Sequence, residues 1–117
     1  MEHEVELLGR GLAVRLTPAA ARAIEARATP LHVEMELYFS CLIRKRVRFD
    51  VPPRGEAVLL GEGLSLSFRP VMGRVCGLDE HDPDNLADLP TGEPQRFVPR
   101  WLTLDYRKGR WQGEFGY

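Results

Sequence analysis

Cysteine is scarce: Cys41 and Cys76 are the two in 117 residues, too few for the disulfide framework of a small secreted scaffold. Long apolar runs are lacking, the longest being a few residues against the ~20 that a membrane-spanning helix needs. Neither sign of charge dominates. Sixteen Lys+Arg against seventeen Asp+Glu leave a formal net charge of −1, which speaks against a dedicated nucleic-acid binder. The first residues, Met1-Glu2-His3-Glu4, are acidic and polar, unlike the basic start of a secretory signal. Also lacking are a P-loop, a GxGxxG opening a helix, HExxH, GxSxG and CxxC. These absences predict a cytoplasmic protein with reduced thiols, no membrane partner and no enzymatic turnover.

What is present is an ordinary globular composition, 44% hydrophobic and 28% charged, which predicts one domain over residues 1–117. Leu12, Val14 and Leu16 alternate as in a short strand. Thr17-Pro18 reads as a helix start, with Thr17 as N-cap and Pro18 at the first helical position, and strong helix formers follow over 19–28. Residues 31–40 alternate strictly. Leu31, Val33, Met35, Leu37 and Phe39 share one face, and His32, Glu34, Glu36, Tyr38 and Ser40 the other, the pattern of a half-buried strand. Ile43, Lys45, Val47, Phe49 and Val51 then alternate with Arg44, Arg46, Arg48 and Asp50. A hairpin turning near Ser40 would set Glu36 opposite Arg44 and Glu34 opposite Arg46, a charge match of roughly 0.2–1 kcal/mol per pair.

Val58 and Leu60, then Leu64, Leu66 and Phe68, predict a pair of strands around the glycines, or one bulged strand. Periodicity fades over residues 69–95, a Pro/Gly-rich and acidic stretch that reads as an irregular loop. Leu102, Leu104 and Tyr106, a Lys108-Gly109 turn and alternation from Trp111 to Tyr117 predict a last hairpin. The fold expected is α+β: a mostly β small domain of five to seven strands with one N-terminal helix.

Chemistry could sit at three places. Cys41 lies between two strands with Arg44 and Lys45 near in sequence, so it could serve as a thiolate ligand or nucleophile, or as a small buried hydrophobe. Cys76 and His81 share an acidic loop with Asp79, Glu80, Asp82 and Asp84, a mixed S, N and O donor set that suits zinc or iron or simply a solvated loop. The basic strand over 44–54 could contact a partner or be neutralised by its acidic neighbour. His32 reads as a strand-surface residue.

Three stretches, LAVRLTPAAARAIEA, PLHVEMELYFSC and LTLDYRKGRWQGEFGY, resemble in their order the HesB-like, or A-type, iron–sulfur cluster assembly proteins. The resemblance implies a HesB-like scaffold, an iron–sulfur cluster or iron as cofactor, and Cys41 as the position matching the family's first cysteine. The family's Cys-Gly-Cys has no counterpart in these residues, so a metal site would have to draw on Cys41, Cys76 and His81, or on Cys41 shared in a homodimer. The function expected is a divergent cluster-assembly accessory that binds metal weakly or has lost binding. The alternative is a non-metal protein–protein interaction module using the basic strand 44–54 or the acidic loop 76–88.

Overall fold

The computed structural model describes residues 2–39, 43–53, 56–61, 63–73, 86–88 and 92–117. Alternation of polar and apolar residues is the rule that builds it. Strands β1 (Glu2–Leu7) and β2 (Arg10–Leu16) form an antiparallel hairpin. Both residues of its turn, Leu8 and Gly9, have positive φ, at 52° and 79°. This is the geometry that matches the right-handed twist of the flanking strands. Helix α1 (Pro18–Glu25) follows, with Thr17 as the expected cap: its hydroxyl accepts from the Ala20 N–H at 3.2 Å. The helix is shorter than the 19–28 expected and ends at Glu25, with Ala26 as its C-cap.

Strands β3 (Leu31–Phe39) and β4 (Ile43–Phe49) pair antiparallel, and β5 (Ala57–Leu60) and β6 (Leu64–Gly73) form a second hairpin through Gly61. A short β7 (Leu86–Asp88) adds to β6 beyond the end of β5. A 3-10 turn over Pro94–Phe97 leads to β8 (Trp101–Arg107) and β9 (Arg110–Gly116), joined at Lys108-Gly109 as the sequence predicts.

These strands make two sheets. Sheet A has the order β1-β2-β8-β9, with β2 and β8 parallel; sheet B has the order β4-β3-β6-β5, with β3 and β6 parallel and β7 beside β6. Their inner faces stack directly. Leu12, Val14, Leu16, Leu102, Leu104 and Phe115 from sheet A meet Leu31, Val33, Met35, Leu37, Leu64, Leu66 and Phe68 from sheet B in one buried cluster. The edges close down as well. A Cβ on Gly113 of β9 would lie 2.9 Å from Val47 Cγ1 and 3.0 Å from Phe49 Cζ of β4, and Phe49 stacks on Trp111 with centroids 5.9 Å apart.

The α+β expectation is therefore corrected. The described chain is mostly β, a sheet-on-sheet sandwich, and its eight-residue helix is too short to form a layer of its own. It crosses from β2 to β3 and plugs one end of the core with Ala20.

Three finer expectations also change. The β3–β4 register places Glu34 opposite Arg48, Glu36 opposite Arg46 and Tyr38 opposite Arg44. The last pair is Phe39 with Ile43, so three residues rather than one make the connection, and every partner moves by two. Secondly, β3 is buried on both faces instead of one, because its outward side chains are met by those of its neighbours, Glu36 by Arg46 and Arg48 of β4 and His32 by Ser65 and Ser67 of β6. Thirdly, the segment expected to be irregular from residue 69 begins as strand, with β6 running to Gly73. Pro70 sits where β6 has passed β5 and not yet met β7, a gap in which a missing N–H is tolerated. Among the described residues, no helix is long and apolar enough to cross a membrane.

Candidate functional site

Cys41, Cys76 and His81, the residues on which the metal expectation rests, lie outside the described residues, as does most of the acidic loop 76–88. Among the described residues, no group of three His, Cys, Asp or Glu side chains could hold a metal ion. The chemistry that can be described lies on the outer face of sheet B, the polar side of β3.

That face is a grid set by strand register. In the first row, His32 of β3 stands beside Ser65 of β6. In the second, Arg48, Glu34 and Ser67 lie side by side across β4, β3 and β6; in the third, Arg46, Glu36 and Arg69; in the fourth, Arg44, Tyr38 and Val71. Period two along each strand brings all these side chains to one face.

The centre of the grid is Glu36. Its residue is 0% exposed, and its carboxylate faces guanidinium-bearing neighbours on both adjacent strands. Arg48 Nε lies 3.2 Å from Oε2, and Arg46 Nη1 lies 3.5 Å from Oε1. Both contacts are ion pairs that miss hydrogen-bond alignment. A buried carboxylate without a cationic neighbour would cost several kcal/mol on the order of magnitude, so the arginines are what permit an acid at a sealed position. The Arg46 side chain is itself largely covered, whereas Arg44 at the β4 entrance is exposed.

At the other end of β3, His32 bridges two serines of the parallel neighbour. Its Nδ1 lies 2.7 Å from Ser65 Oγ and its Nε2 lies 2.8 Å from Ser67 Oγ. Burial holds its pKa below the ordinary histidine value, so the neutral ring donates through one nitrogen and accepts through the other. The arrangement has the components of an imidazole base beside a serine hydroxyl. The two serines differ in access: His32 is 8% and Ser67 4% exposed, whereas Ser65 is half-buried at the rim of the cluster. The cluster fastens β3 to β6. The reading of His32 as a surface residue is thereby corrected, for the same reason that β3 is covered on both sides.

Sequence reasoning missed this cluster because parallel pairing between residues 33 and 35 positions apart leaves no local trace. It did find the acid–base pairing of β3 with β4, two residues out of register. Searches against protein-family models, curated proteins and solved structures match nothing to this chain. The HesB-like scaffold implied by the three sequence stretches thus gains no structural counterpart, and the sandwich stands on its own geometry.

Proposed function

We propose that this protein is a non-enzymatic interaction module that takes an acidic segment of a partner protein on the arginine side of sheet B. One observation carries the reading: Glu36, sealed from water, lies within ion-pair distance of Arg46 and Arg48 and in register with Arg69. A carboxylate fixed beneath guanidinium groups holds them in place before a ligand arrives, which lowers the ordering cost of binding. Arginine's planar fork suits that task, since it meets carboxylates with two parallel hydrogen bonds. The described face carries four arginines, Arg44, Arg46, Arg48 and Arg69, against three acids, Glu34, Glu36 and Asp88, the last in register with Val71. Its local charge is therefore positive although the whole chain carries −1.

The test is a fluorescence-anisotropy titration of a labelled oligoglutamate peptide at low and at physiological ionic strength. Saturable binding is expected, weakened by salt and by about tenfold or more, roughly the worth of one charge-assisted contact, in Arg44→Glu and Arg69→Glu. Binding that never saturates, equal binding by the variants, or tighter binding of a single-stranded RNA of equal charge would each overturn the reading.

A further inference from the structure

The opposite face of the sandwich has the reverse character. Along the outer side of sheet A, register places Glu4, Ala13, Trp101 and Gly116 in one row across β1, β2, β8 and β9. Glu2, Arg15, Thr103 and Glu114 form the next row, and Asp105 and Gln112 a third on β8 and β9 alone. Gly116 and Ala13 give this face its relief. The indole of Trp101 lies against the Gly116 backbone, where a Cβ would meet Cζ2 at 2.4 Å and Nε1 at 2.8 Å. On its other side, Ala13 leaves a low floor between the ring and Glu4. The result is an open trough of about 690 Å³ walled by Trp101 on one side and by Glu2 and Glu4 on the other, with Arg15 and Thr103 at its end. A smaller hollow of about 360 Å³ continues past the ring between Asp105, Gln112 and Glu114.

Charge on this face leans acidic, with Glu2, Glu4, Glu6, Asp105 and Glu114 against Arg15, Arg107 and Arg110. Glu2 pairs with Arg15 and Asp105 with Arg107, and both carboxyls are held below their usual pKa, mainly by a hydrogen bond from Arg15 to Glu2 and from the Thr17 hydroxyl to Asp105. Among the described residues, Glu4, Glu6 and Glu114 take part in no ion pair. Trp101 keeps 37% of its surface in solvent. An exposed indole flanked by carboxylates is the combination that attracts a cation on an apolar stem, because the ring face and the carboxylates favour the same charge.

We propose that this trough is a second binding site, specific for a lysine or arginine side chain of a basic peptide. The alkyl stem lies over Ala13, and the cationic head sits between the Trp101 ring and the Glu4 carboxylate. Strands β1 and β8 are separated by one intervening strand, a span of roughly 10 Å between backbones, which is wide enough for one such side chain. A neutral sugar could also stack on the ring, but it would desolvate these carboxylates without neutralising them. The site stands independently of the arginine face, since it lies on the other sheet and uses none of its residues.

The experiment is a tryptophan-fluorescence titration of the full chain with a tetra-arginine peptide, a tetra-glutamate peptide and a neutral gluco-oligosaccharide. The basic peptide is expected to shift the emission saturably and in a salt-dependent way. Its affinity is expected to fall about tenfold in Glu4→Gln and, followed by anisotropy of labelled peptide, at least as far in Trp101→Ala. Trp101→Phe should retain most of it, and Arg44→Glu should leave it unchanged. Glu4 is exposed and makes no side-chain contact whose loss would unfold the chain, so its variant remains informative if Trp101→Ala does not fold. Unchanged affinity in Glu4→Gln, a loss in Arg44→Glu, or saturable binding of the sugar in place of the peptide would overturn the proposal.

Discussion

Arg48 Nε sits 3.2 Å from the Oε2 of Glu36, a carboxylate with no solvent exposure. The carboxylate is sealed on the outer face of β3, where a half-buried strand would have left its acid in water. The Arg48 side chain keeps more contact with solvent than Glu36 does, so the two partners differ in what their loss entails. Glu36→Ala leaves Arg46 and Arg48 beside a hole and is expected to destabilise the fold by about 3 kcal/mol or more. Arg48→Met, which keeps the stem and frees only one of two pairings, is expected to cost less. Urea denaturation of both single variants and the double variant checks this. An interaction energy near zero in that cycle would show that the pairing contributes nothing specific.

His32 gives the protein an acid-sensitive fastening between β3 and β6. Burial lowers its pKa in the folded state below the ordinary 6.5, while the unfolded chain keeps the ordinary value. The unfolded state therefore binds the proton first as pH falls. The neutral ring's contribution is complete above about pH 6.5 and is lost progressively below it, until the folded-state pKa is passed. Thermal melting from pH 7.5 to 5 should show a decline in Tm for the native sequence. In His32→Gln, which can still bond one serine, the part of the decline below about pH 6.5 should be smaller. Equal slopes in the two proteins would remove His32 as its source.

Much of the sandwich is legible in the sequence because its strands obey period two. Residues 31–39, 43–49, 64–68 and 101–116 announce themselves in this way, and Thr17-Pro18 marks the helix start. β1 was legible by the same rule, since His3, Val5 and Leu7 alternate with Glu2, Glu4 and Glu6, yet its acidic composition reads first as a polar terminus. Burial on β3 is another matter. Whether a polar face is wet depends on which strands flank it, and the parallel neighbour β6 lies more than thirty residues away. The α+β expectation fails for a related reason. Helix α1 has strong local signals, but its role as an end plug follows from two sheets meeting beneath it. The trough at Trp101 depends on Gly116, Ala13 and Glu4 reaching one row from three other strands, which no local spacing records.

Closure of β4 on β9 rests on the small size of Gly113. A methyl group there would lie 2.9 Å from Val47 Cγ1, 3.0 Å from Phe49 Cζ and 3.1 Å from Leu104 Cδ2. All three belong to the packed interior or its edge, so none can swing freely into water. Gly113→Ala is expected to destabilise by about 1–3 kcal/mol through overpacking. Gly11 of β2 supplies the contrast, since a Cβ there meets nothing within 4 Å. Gly11→Ala should be neutral or stabilising by up to about 0.5 kcal/mol, because alanine loses less backbone entropy in a strand. Chemical denaturation of the two variants should give shifts of opposite or clearly unequal size; equal losses would mean that the inter-sheet contact at Gly113 is not the cause.

The Lys108-Gly109 turn offers the last test, and its sign is favourable. Both residues have positive φ, 52° and 74°, as the tight turn between β8 and β9 demands. Glycine meets that demand without steric cost, whereas lysine carries a Cβ into the left-handed region at a cost of roughly 1 kcal/mol. Lys108 is exposed at the tip, so its side chain contributes no packing that a replacement would forfeit. Asparagine tolerates this conformation because its short amide can bond the local backbone. Lys108→Asn is therefore expected to stabilise the hairpin by a few tenths to about 1 kcal/mol, whereas Lys108→Val, β-branched and poorly suited to positive φ, should destabilise it. The ordering of the urea midpoints, Asn above Lys above Val, is the readout. A midpoint for the valine variant at or above that of the native sequence would mean that the turn does not require the left-handed backbone at residue 108.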